Sequence, residues 1–297
     1  MLRPSDHPAD MTIVNGNLKS YIGRLKTLPT APGVLVKLIT VFQESDRDID
    51  EVAVLIHQDP SLTADVLRYA NSAFFVREDP VVDIFEAIAW VGFSQVYQAV
   101  VAKLASQALR LPKDVSGLNV DQIWNHSAAA AVYASAIARE LQENEGLVFT
   151  AGLLHDVGKI VLSLAEGVFY SELIAKDGSH GSLLQKEEKL LFGFGHAEVG
   201  ASLLNRWGLP EDISEPVRQH HQTGWAGPRE RICAMVSLGN IMAHAGDETR
   251  GGNHYGSEEA ISALAALQMK ESDADKLLQA SQNDIKRMAE AFGAGAK

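Results

Sequence analysis

The feature that most constrains this chain is an apolar run that ends in a histidine and an aspartate. Residues 151–159 read Ala-Gly-Leu-Leu-His-Asp-Val-Gly-Lys. The leucines and the valine are expected to carry His155 and Asp156 into the interior of a helical fold. A buried carboxylate is unfavourable there unless its pKa rises or it meets a cation. The pair therefore predicts one part of a metal site, to which other segments must contribute.

Four further histidines lie inside helical patterns rather than in polar loops, at positions His126, His196, His220 and His221. A single histidine of this kind is more often a hydrogen-bonded core or surface residue than a ligand. Five imidazoles together with Asp156, all on helices with apolar faces, favour a metal cluster instead. Mostly histidine with one carboxylate suits Fe, Mn or Zn rather than Ca or Mg. The sequence therefore predicts one or two divalent transition-metal ions.

The motifs of the second half resemble those of the HD superfamily of metal-dependent phosphohydrolases, above all its HD-GYP branch, which hydrolyses cyclic di-GMP. The resemblance rests on His126-Ser, residues 155–159, the His-Ala-Glu-Val-Gly run at 196–200 and the pair 220–221. In the first half, residues 59–73 and 84–92 are similar to the signature of HDOD domains. Those domains are bacterial signalling modules related to the HD hydrolases. The similarity covers roughly residues 20–245.

The resemblance also implies how the ions would be held. By the family pattern, one ion would be bound by His126, His155, Asp156 and Asn240, and the other by His196, His220 and His221. If hydrolysis survived, a metal-activated water would attack phosphorus, and Asp156 and Lys159 would be the catalytic residues. Lys159 would then face the phosphate oxygens. On spacing alone, it is equally well an ordinary solvated lysine at the end of a helical turn.

Two departures from the hydrolase pattern weaken an enzymatic interpretation. The last metal-binding aspartate of the HD enzymes falls at Asn240, whose amide oxygen is a neutral and weaker donor. After His221 the chain reads Gln222-Thr-Gly-Trp and lacks the elements that follow in HD-GYP enzymes. HDOD domains are usually regarded as having lost catalysis. We therefore expect a signal-transduction module whose pocket binds metal, with weak or no hydrolase activity.

Two alternatives stay open. The first is an active metal-dependent phosphohydrolase, that is, a phosphodiesterase for a nucleotide or cyclic dinucleotide. The second is a metal-free protein-interaction scaffold whose histidines bind nothing. The preferred partners are signalling proteins, with a nucleotide or cyclic dinucleotide as a further ligand. A homodimer contact through the C-terminal helices is less favoured than docking of those helices on their own domain.

The composition limits the partners and the cellular location that this protein can have. The net charge of −12 argues against a nucleic-acid surface, which needs clustered Lys and Arg. The single cysteine, Cys233, excludes an internal disulfide and is expected to be a small core residue. No apolar stretch approaches a membrane span on inspection, and the first residues lack an apolar signal core. We therefore expect a cytoplasmic protein that contacts neither nucleic acid nor membrane.

Helical periodicity recurs along the chain, and alternating strand patterns are nearly absent, so the predicted fold class is all-α. An amino-terminal helical bundle is expected to pack on an HD-like helical domain. The predicted division is a loose segment 1–16, the bundle 17–112, the HD-like domain 118–245 and C-terminal helices 257–292, with a boundary at 111–117. Segments 148–164 and 272–291 are each predicted to form one helix.

Several single residues receive specific interpretations. Asp59, before Pro60, predicts a helix start, and Asn71-Ser72 predict the cap that ends that helix. Whether Asn71 also binds a ligand stays open. His244 is placed at a helix end. Glu166 and Glu198 are interpreted as surface charges.

Overall fold

The computed structural model describes residues 18–25, 28–43, 49–109, 119–177, 182–246 and 254–292. All of its regular elements are α-helices, which confirms the predicted all-α class. The first half contains α1 (Leu18–Arg24), α2 (Gly33–Gln43), α3 (Ile49–His57), α4 (Pro60–Ala70), α5 (Ile84–Val91) and α6 (Phe93–Ala108). The second half contains α7 (Val120–Glu140), α8 (Glu145–Leu154), α9 (Val157–Asp177), α10 (Ser182–Phe192), α11 (His196–Arg206), α12 (Glu211–Gln219) and α13 (Glu230–Ala245). Three helices follow: α14 (Glu258–Leu267), α15 (Glu271–Ala280) and α16 (Gln282–Phe292).

The core of the second half is a layer in which α7 lies between α8 and α13, and α12 packs on α8, α11 and α13. Small residues on α7 and α8 allow close approach of their backbones: a Cβ added at Gly152 would lie 2.9 Å from Cα of Ala131. Cys233 of α13 is buried, as expected, and burial raises the pKa of its thiol to about 12. This layer holds the segments that carry the predicted ligands.

The two predicted halves share one apolar core, because α2 and α6 pack directly on α8. The rings of Phe42 and Tyr97 have centroids 3.9 Å apart, and the Tyr97 hydroxyl lies 3.0 Å from Oγ1 of Thr150. Gln98 donates to the hydroxyl of Ser135 at 3.1 Å. Segment 1–16 and the predicted boundary 111–117 lie outside the described residues, so the division into domains stays a prediction.

Two predicted helices are each broken once. The segment predicted as one helix over 148–164 is α8 followed by α9, with His155 and Asp156 in the turn between them. Nδ1–H of His155 donates to the Gly152 carbonyl at 2.7 Å, and the amide of Lys159 bonds to the Asp156 carbonyl three residues earlier, which tightens the turn. The segment predicted over 272–291 is similarly divided at Ser281 into α15 and α16.

The segment Glu145–Gly167 corrects the expectation that no stretch approaches a membrane span. It has a mean hydropathy of 1.5 over its most apolar window, so length and composition alone would allow it to cross a membrane. However, 94% of that window is buried inside the fold. The segment therefore has the surroundings of a core helix.

Both predicted ends of α4 are confirmed. The carboxylate of Asp59 accepts from the amides of Ser61 and Leu62. The Asn71 amide nitrogen donates to the carbonyls of Leu67 and Val81, and its amide oxygen accepts from the Val81 amide, each at 2.8 Å. Asn71 thus ties the end of α4 to the chain before α5. These contacts give Asn71 a turn-fixing role, while ligand binding at Asn71-Ser72 stays a prediction.

Candidate metal centre

The structure brings all seven predicted ligand residues to one place in the second half. His126 comes from α7, and His155 and Asp156 from the turn between α8 and α9. The others are His196 at the start of α11, His220 and His221 after α12, and Asn240 on α13. Residues up to 114 positions apart in sequence thus meet around one carboxylate.

Asp156 lies between two groups of donor atoms. Its Oδ2 lies 3.3 Å from Nε2 of His155 and 3.8 Å from Nε2 of His126. Its Oδ1 lies 3.4 Å from Nε2 of His196 and 3.9 Å from Nε2 of His220. Two sets, His126–His155–Asp156 and His196–His220–His221, each have ligand atoms within 4.8 Å of one another and could hold a metal ion. Apart from Asn240, these sets are the same two groups that the resemblance implies.

Three imidazoles are held with Nε2 directed inward. Nδ1–H of His155 donates to the Gly152 carbonyl, and Nδ1–H of His220 donates to the Val217 carbonyl, both at 2.7 Å. Nδ1–H of His196 donates to Oε2 of Glu188, also at 2.7 Å. A neutral imidazole carries one N–H, so Nε2 of each ring keeps its lone pair. Such outer hydrogen bonds orient the histidine ligands of metal sites.

Two atoms at the centre of the group are buried without a hydrogen-bond partner among the described residues. They are Oδ1 of Asp156 and Nε2 of His220. Leaving a buried acceptor unpaired costs about 1–3 kcal/mol. A cation between them would accept electron density from both. The donor set is mostly imidazole with one carboxylate, and it therefore fits a borderline transition-metal ion.

The ionisation states agree with this interpretation. Burial lowers the pKa of His126, His220 and His221 well below its ordinary value of 6.5, and neighbouring rings or Lys159 lower it further. These imidazoles are therefore neutral at pH 7. Nε2 of His220 keeps its lone pair. In contrast, Nε2–H of His126 donates to Asn240 and Nε2–H of His221 donates to Nε2 of His196, so these two rings would have to change tautomer before they could bind metal through Nε2. Burial raises the pKa of Asp156, but the opposing effects of His155 and Lys159 hold that pKa well below its usual range. Asp156 is therefore an ionised carboxylate.

Lys159 is not a solvated lysine. It is 6% exposed, and its ammonium lies 2.7 Å from Oδ2 of Asp156. It also lines a cavity next to the donor group. The structure thus supports the interpretation in which Lys159 faces the pocket, while its catalytic role stays a prediction.

Asn240 lies beside His126. Nε2–H of His126 donates to the amide oxygen of Asn240 at 2.9 Å. The ring of His126 also stacks on that of His244, with centroids 4.3 Å apart and planes inclined by 29°. His244 lies four residues after Asn240, on the same face of α13. The four-residue spacing from Asn240 is a signal in the sequence that would have placed His244 beside the candidate site. The sequence interpretation assigned His244 only to a helix end.

Glu188 is the main residue that sequence reasoning missed. Its side chain is fully buried on α10, and one carboxylate oxygen accepts from both the amide (2.6 Å) and Nδ1 (2.7 Å) of His196. The other oxygen accepts from the hydroxyl of Tyr170. Because charged residues surround it in Lys186-Glu-Glu-Lys189, its sequence context is that of a solvated helix face. No spacing of residues in the sequence marks Glu188 as a partner of His196.

The two acids interpreted as surface charges have structural partners outside the donor groups. Glu166 accepts from the hydroxyl of Tyr21 at 2.6 Å. Glu198 accepts from the Gly195 amide at 3.0 Å at the start of α11, and it pairs with Lys189 at 2.7 Å.

Close contact between α9 and α11 sets the distance between Asp156 and His196. A Cβ added at Gly158 would lie 1.9 Å from the His196 carbonyl oxygen and 2.7 Å from the Gly200 amide nitrogen. Real Cβ atoms do not approach backbone so closely. Glycine at 158 therefore permits the backbone of α9 to touch the first turn of α11.

The metal-free protein should lose stability as the pH falls below about 6.5. The pKa of buried His220 is lowered in the folded state, so below its ordinary value of 6.5 the unfolded chain binds more protons than the folded chain. The free energy of unfolding then falls with falling pH, by up to about 1.4 kcal/mol per pH unit for one such group. Urea midpoints at pH 8 and pH 5.5 measure this.

The matched variants for that measurement are His220→Phe and His57→Phe, because His57 is exposed at the end of α3. We expect the pH dependence to shrink in the first and to persist in the second. An unchanged dependence in His220→Phe would contradict the assignment to His220.

Comparison with known proteins agrees with this geometry. Residues 28–223 match the HDOD domain family. An HDOD domain protein of unknown function from Geobacter sulfurreducens has the same fold, with 26% identity, a TM-score of 0.76 and coverage of 93% of this chain and 97% of the other.

Two sequence relatives match over shorter parts. An uncharacterized protein of Treponema pallidum is 26% identical over 225 residues, which are 75% of this chain and 43% of the relative. Ribonuclease Y of Acholeplasma laidlawii is 25% identical over 160 residues, which are 54% of this chain and 24% of that enzyme. The chain thus spans less than half the length of these relatives. The match to residues 28–223, about two thirds of the sequence, shows that the chain belongs to the HDOD domain family.

Proposed function

We propose that this protein is a cytoplasmic bacterial signal-transduction module that binds one or two divalent transition-metal ions and has weak or no hydrolase activity. The observation that carries the metal site is the unpaired, buried Oδ1 of Asp156, which faces Nε2 of His196 and Nε2 of His220. Lys159 is paired with Oδ2, so it is the unpaired Oδ1 that a bound cation would satisfy. The output of the module would pass to signalling proteins that bind it.

The residues of the site support weak catalysis at most. When bound, the ions would supply an activated water and stabilise negative charge on phosphate. Asn240 contributes a neutral oxygen that already accepts from His126. Lys159 is paired with Asp156, so its charge is partly used within the protein. The group thus keeps its imidazoles but carries one carboxylate charge.

An active phosphohydrolase is the second candidate, and a specific observation favours it. Asp156 and Lys159 both line a cavity that reaches the donor group, so a phosphate could approach the proposed metal site. Lys159 would then hold phosphate oxygens, and Asp156 would position the ions. Ribonuclease Y, an enzyme by name, is among the relatives of this chain.

Elemental analysis of untagged protein tests the metal proposal first. We expect at least one equivalent of Fe, Mn or Zn per chain, lost on dialysis against a chelator. Protein that neither contains nor rebinds such an ion would support a metal-free scaffold. Turnover of nucleotides or cyclic di-GMP by the metal-loaded protein, abolished by Asp156→Ala, would establish the hydrolase instead.

Asn240→Asp should tighten metal binding. The variant replaces a neutral amide oxygen with a charged one at 2.9 Å from Nε2 of His126, so it restores a carboxylate donor to the first group. We expect about a tenfold gain in affinity, or about 1.4 kcal/mol, in a chelator-competition titration. The control is Asn205→Asp, which changes the same atoms at an exposed position of α11. Unchanged affinity in Asn240→Asp would show that residue 240 does not face the metal.

A further inference from the structure

An exposed apolar surface is formed by α5 and the loop that precedes it. Five of the eleven large apolar side chains that are exposed among the described residues lie within residues 74–90. They are 39–84% exposed and are called the α5 surface below: Phe74, Val76, Val82, Phe85 and Trp90. Single exposed apolar residues are normal, but a concentration of them in one short segment marks an interaction site.

Contacts between the loop and the helix bring these side chains into one region. The guanidinium of Arg77 pairs with Glu86 at 2.6 Å and lies 5.5 Å from the centre of the Trp90 ring. The amide of Val82 donates to the carboxylate of Glu86 at 3.2 Å. The loop is therefore attached to α5 near both of its ends, and the α5 surface is not a set of scattered residues.

The helix α5 is apolar on two opposite sides. The residues that it buries in the core are Ile84, Ala87 and Ile88. The residues that it exposes include Phe85, Ala89 and Trp90. A helix that is apolar all round is normally covered all round. Among the described residues only one side of α5 is covered, so the other side has the composition of a surface that a partner covers.

The charges around the α5 surface are negative. Residues 49–90 contain eight carboxylates and two guanidiniums, so they carry −6, which is half of the net charge of −12. Both guanidiniums, of Arg68 and Arg77, already pair with carboxylates of the same segment. Glu78 and Asp79 are exposed in the loop itself. A partner that covers the apolar side chains is therefore expected to bring positive charges to their rim.

The same charges disfavour other occupants. A second copy of this chain would place an identical negative rim against this one, and like charges across an interface are unfavourable. An anionic lipid surface would be repelled in the same way. The part of the chain that the structure describes offers no sheet edge to which a strand could add. A helix that lays its apolar side on α5 is the remaining mode of recognition.

We propose that the α5 surface binds a basic amphipathic helix of a partner protein. The apolar side of that helix would cover Phe85 and Trp90, and its lysines or arginines would lie near Glu78 and Asp79. Tryptophan at the centre of an interface, beside charged residues at the rim, is the usual arrangement of a binding hot spot. The proposal goes beyond the metal function and does not depend on it, because no residue of the α5 surface belongs to the donor groups.

Titration of a fluorescent model peptide with the full chain tests the proposal. The probe is a leucine–lysine peptide of about 18 residues, or five helical turns, with its leucines along one side. The comparison peptide has glutamate in place of lysine. We expect the lysine peptide to bind about tenfold more tightly or better at low salt, and the difference to shrink as salt is added. Equal binding of the two peptides, or binding of neither, would overturn the proposal.

Variants locate the binding on the molecule. Phe85→Ser should weaken binding of the lysine peptide about tenfold, and Ile261→Ser, at an exposed position of α14, is its matched control. Glu78→Lys should also weaken binding, and Glu172→Lys, at an exposed position of α9, is the control for charge. Val76→Ser, at a side chain that is 84% exposed, replaces Phe85→Ser should that variant fail to fold. Equal losses in the controls, or no loss in the variants of the α5 surface, would refute the assignment.

The indole N–H signals of nitrogen-labelled protein give an independent measurement. We expect the lysine peptide to shift the signal of Trp90, which Trp90→Phe identifies, and to leave those of buried Trp124 and Trp225 unchanged. Self-association that Phe85→Ser abolishes would favour a second copy instead. Binding to phosphatidylglycerol vesicles that the same variant abolishes would favour a membrane, and either result would overturn the proposal. Chelator-treated protein should bind the peptide equally well, so failure of the metal proposal would leave this one intact.

Discussion

Asp156→Ala should remove transition metal from both donor groups. One carboxylate serves both: Oδ2 faces His126 and His155, and Oδ1 faces His196 and His220. Mutation of a residue that only hydrogen-bonds to a metal ligand typically lowers metal affinity about 10–100-fold. Loss of a ligand that both groups share should therefore lower metal affinity by at least about 100-fold. Elemental analysis and chelator competition at pH 7.5 measure the loss.

Asp65→Ala is the control for that experiment. Asp65 is also a buried carboxylate paired with a lysine, at 2.8 Å from Lys103, but it lies on α4. Both variants leave a cation without its partner. The cost is about 3–5 kcal/mol for a buried pair such as Asp156 and Lys159, and it is smaller for Asp65, because its partners Lys103 and Arg68 are more exposed. Asp156→Asn avoids most of that cost, because its amide oxygen can still accept from Lys159. Stoichiometric metal in both Asp156 variants would refute the proposed centre.

Glu188→Gln should weaken metal binding about 10–100-fold although Glu188 is not a proposed ligand. Its carboxylate accepts from two groups of His196 and from Tyr170, and this requires acceptors at both oxygens. A glutamine can keep its one oxygen at His196 and donate its NH2 group to the Tyr170 hydroxyl, but it is uncharged, so the hydrogen bond from Nδ1–H of His196 loses its charge assistance. The ring of His196 would then be held less strongly with Nε2 toward Asp156.

The measurement that isolates this effect is the nitrogen chemical shift of the His196 ring in labelled, metal-free protein. We expect the parent to show the Nδ1–H tautomer and Glu188→Gln to show a mixture. Glu187→Gln, one position earlier on α10, is the matched control, and Tyr170→Phe should have a smaller effect than Glu188→Gln. A pure Nδ1–H tautomer in Glu188→Gln would contradict the positioning role.

The residues that converge on Asp156 could be predicted because they have a strong signal in the sequence. His155 and Asp156 interrupt an apolar run, and the other histidines fall in helices that have to bury a face. The cap at Asp59 was equally predictable, since capping depends on neighbouring residues alone. Helical class followed from periodicity in the same way.

What could not be predicted depends on contacts between distant segments. Glu188 has the sequence context of a surface acid, and only the packing of α10 on α11 reveals that it is buried against His196. The turn at His155 was hidden because its residues are helix-compatible, with φ −58° and ψ −35° at His155 itself. Lys159 had two equal interpretations until the position of the Asp156 side chain was known.

The contact between Gly158 and the His196 carbonyl has a consequence for comparing relatives of this chain. A single methyl group there would push α11 away from α9 and separate the two halves of the donor set, even if every imidazole and carboxylate were retained. A homologue with the full complement of histidines but a larger residue at this position would therefore not bring the two groups together around the aspartate. A comparison of relatives should therefore examine the residue at position 158 as well as the histidines and the aspartate.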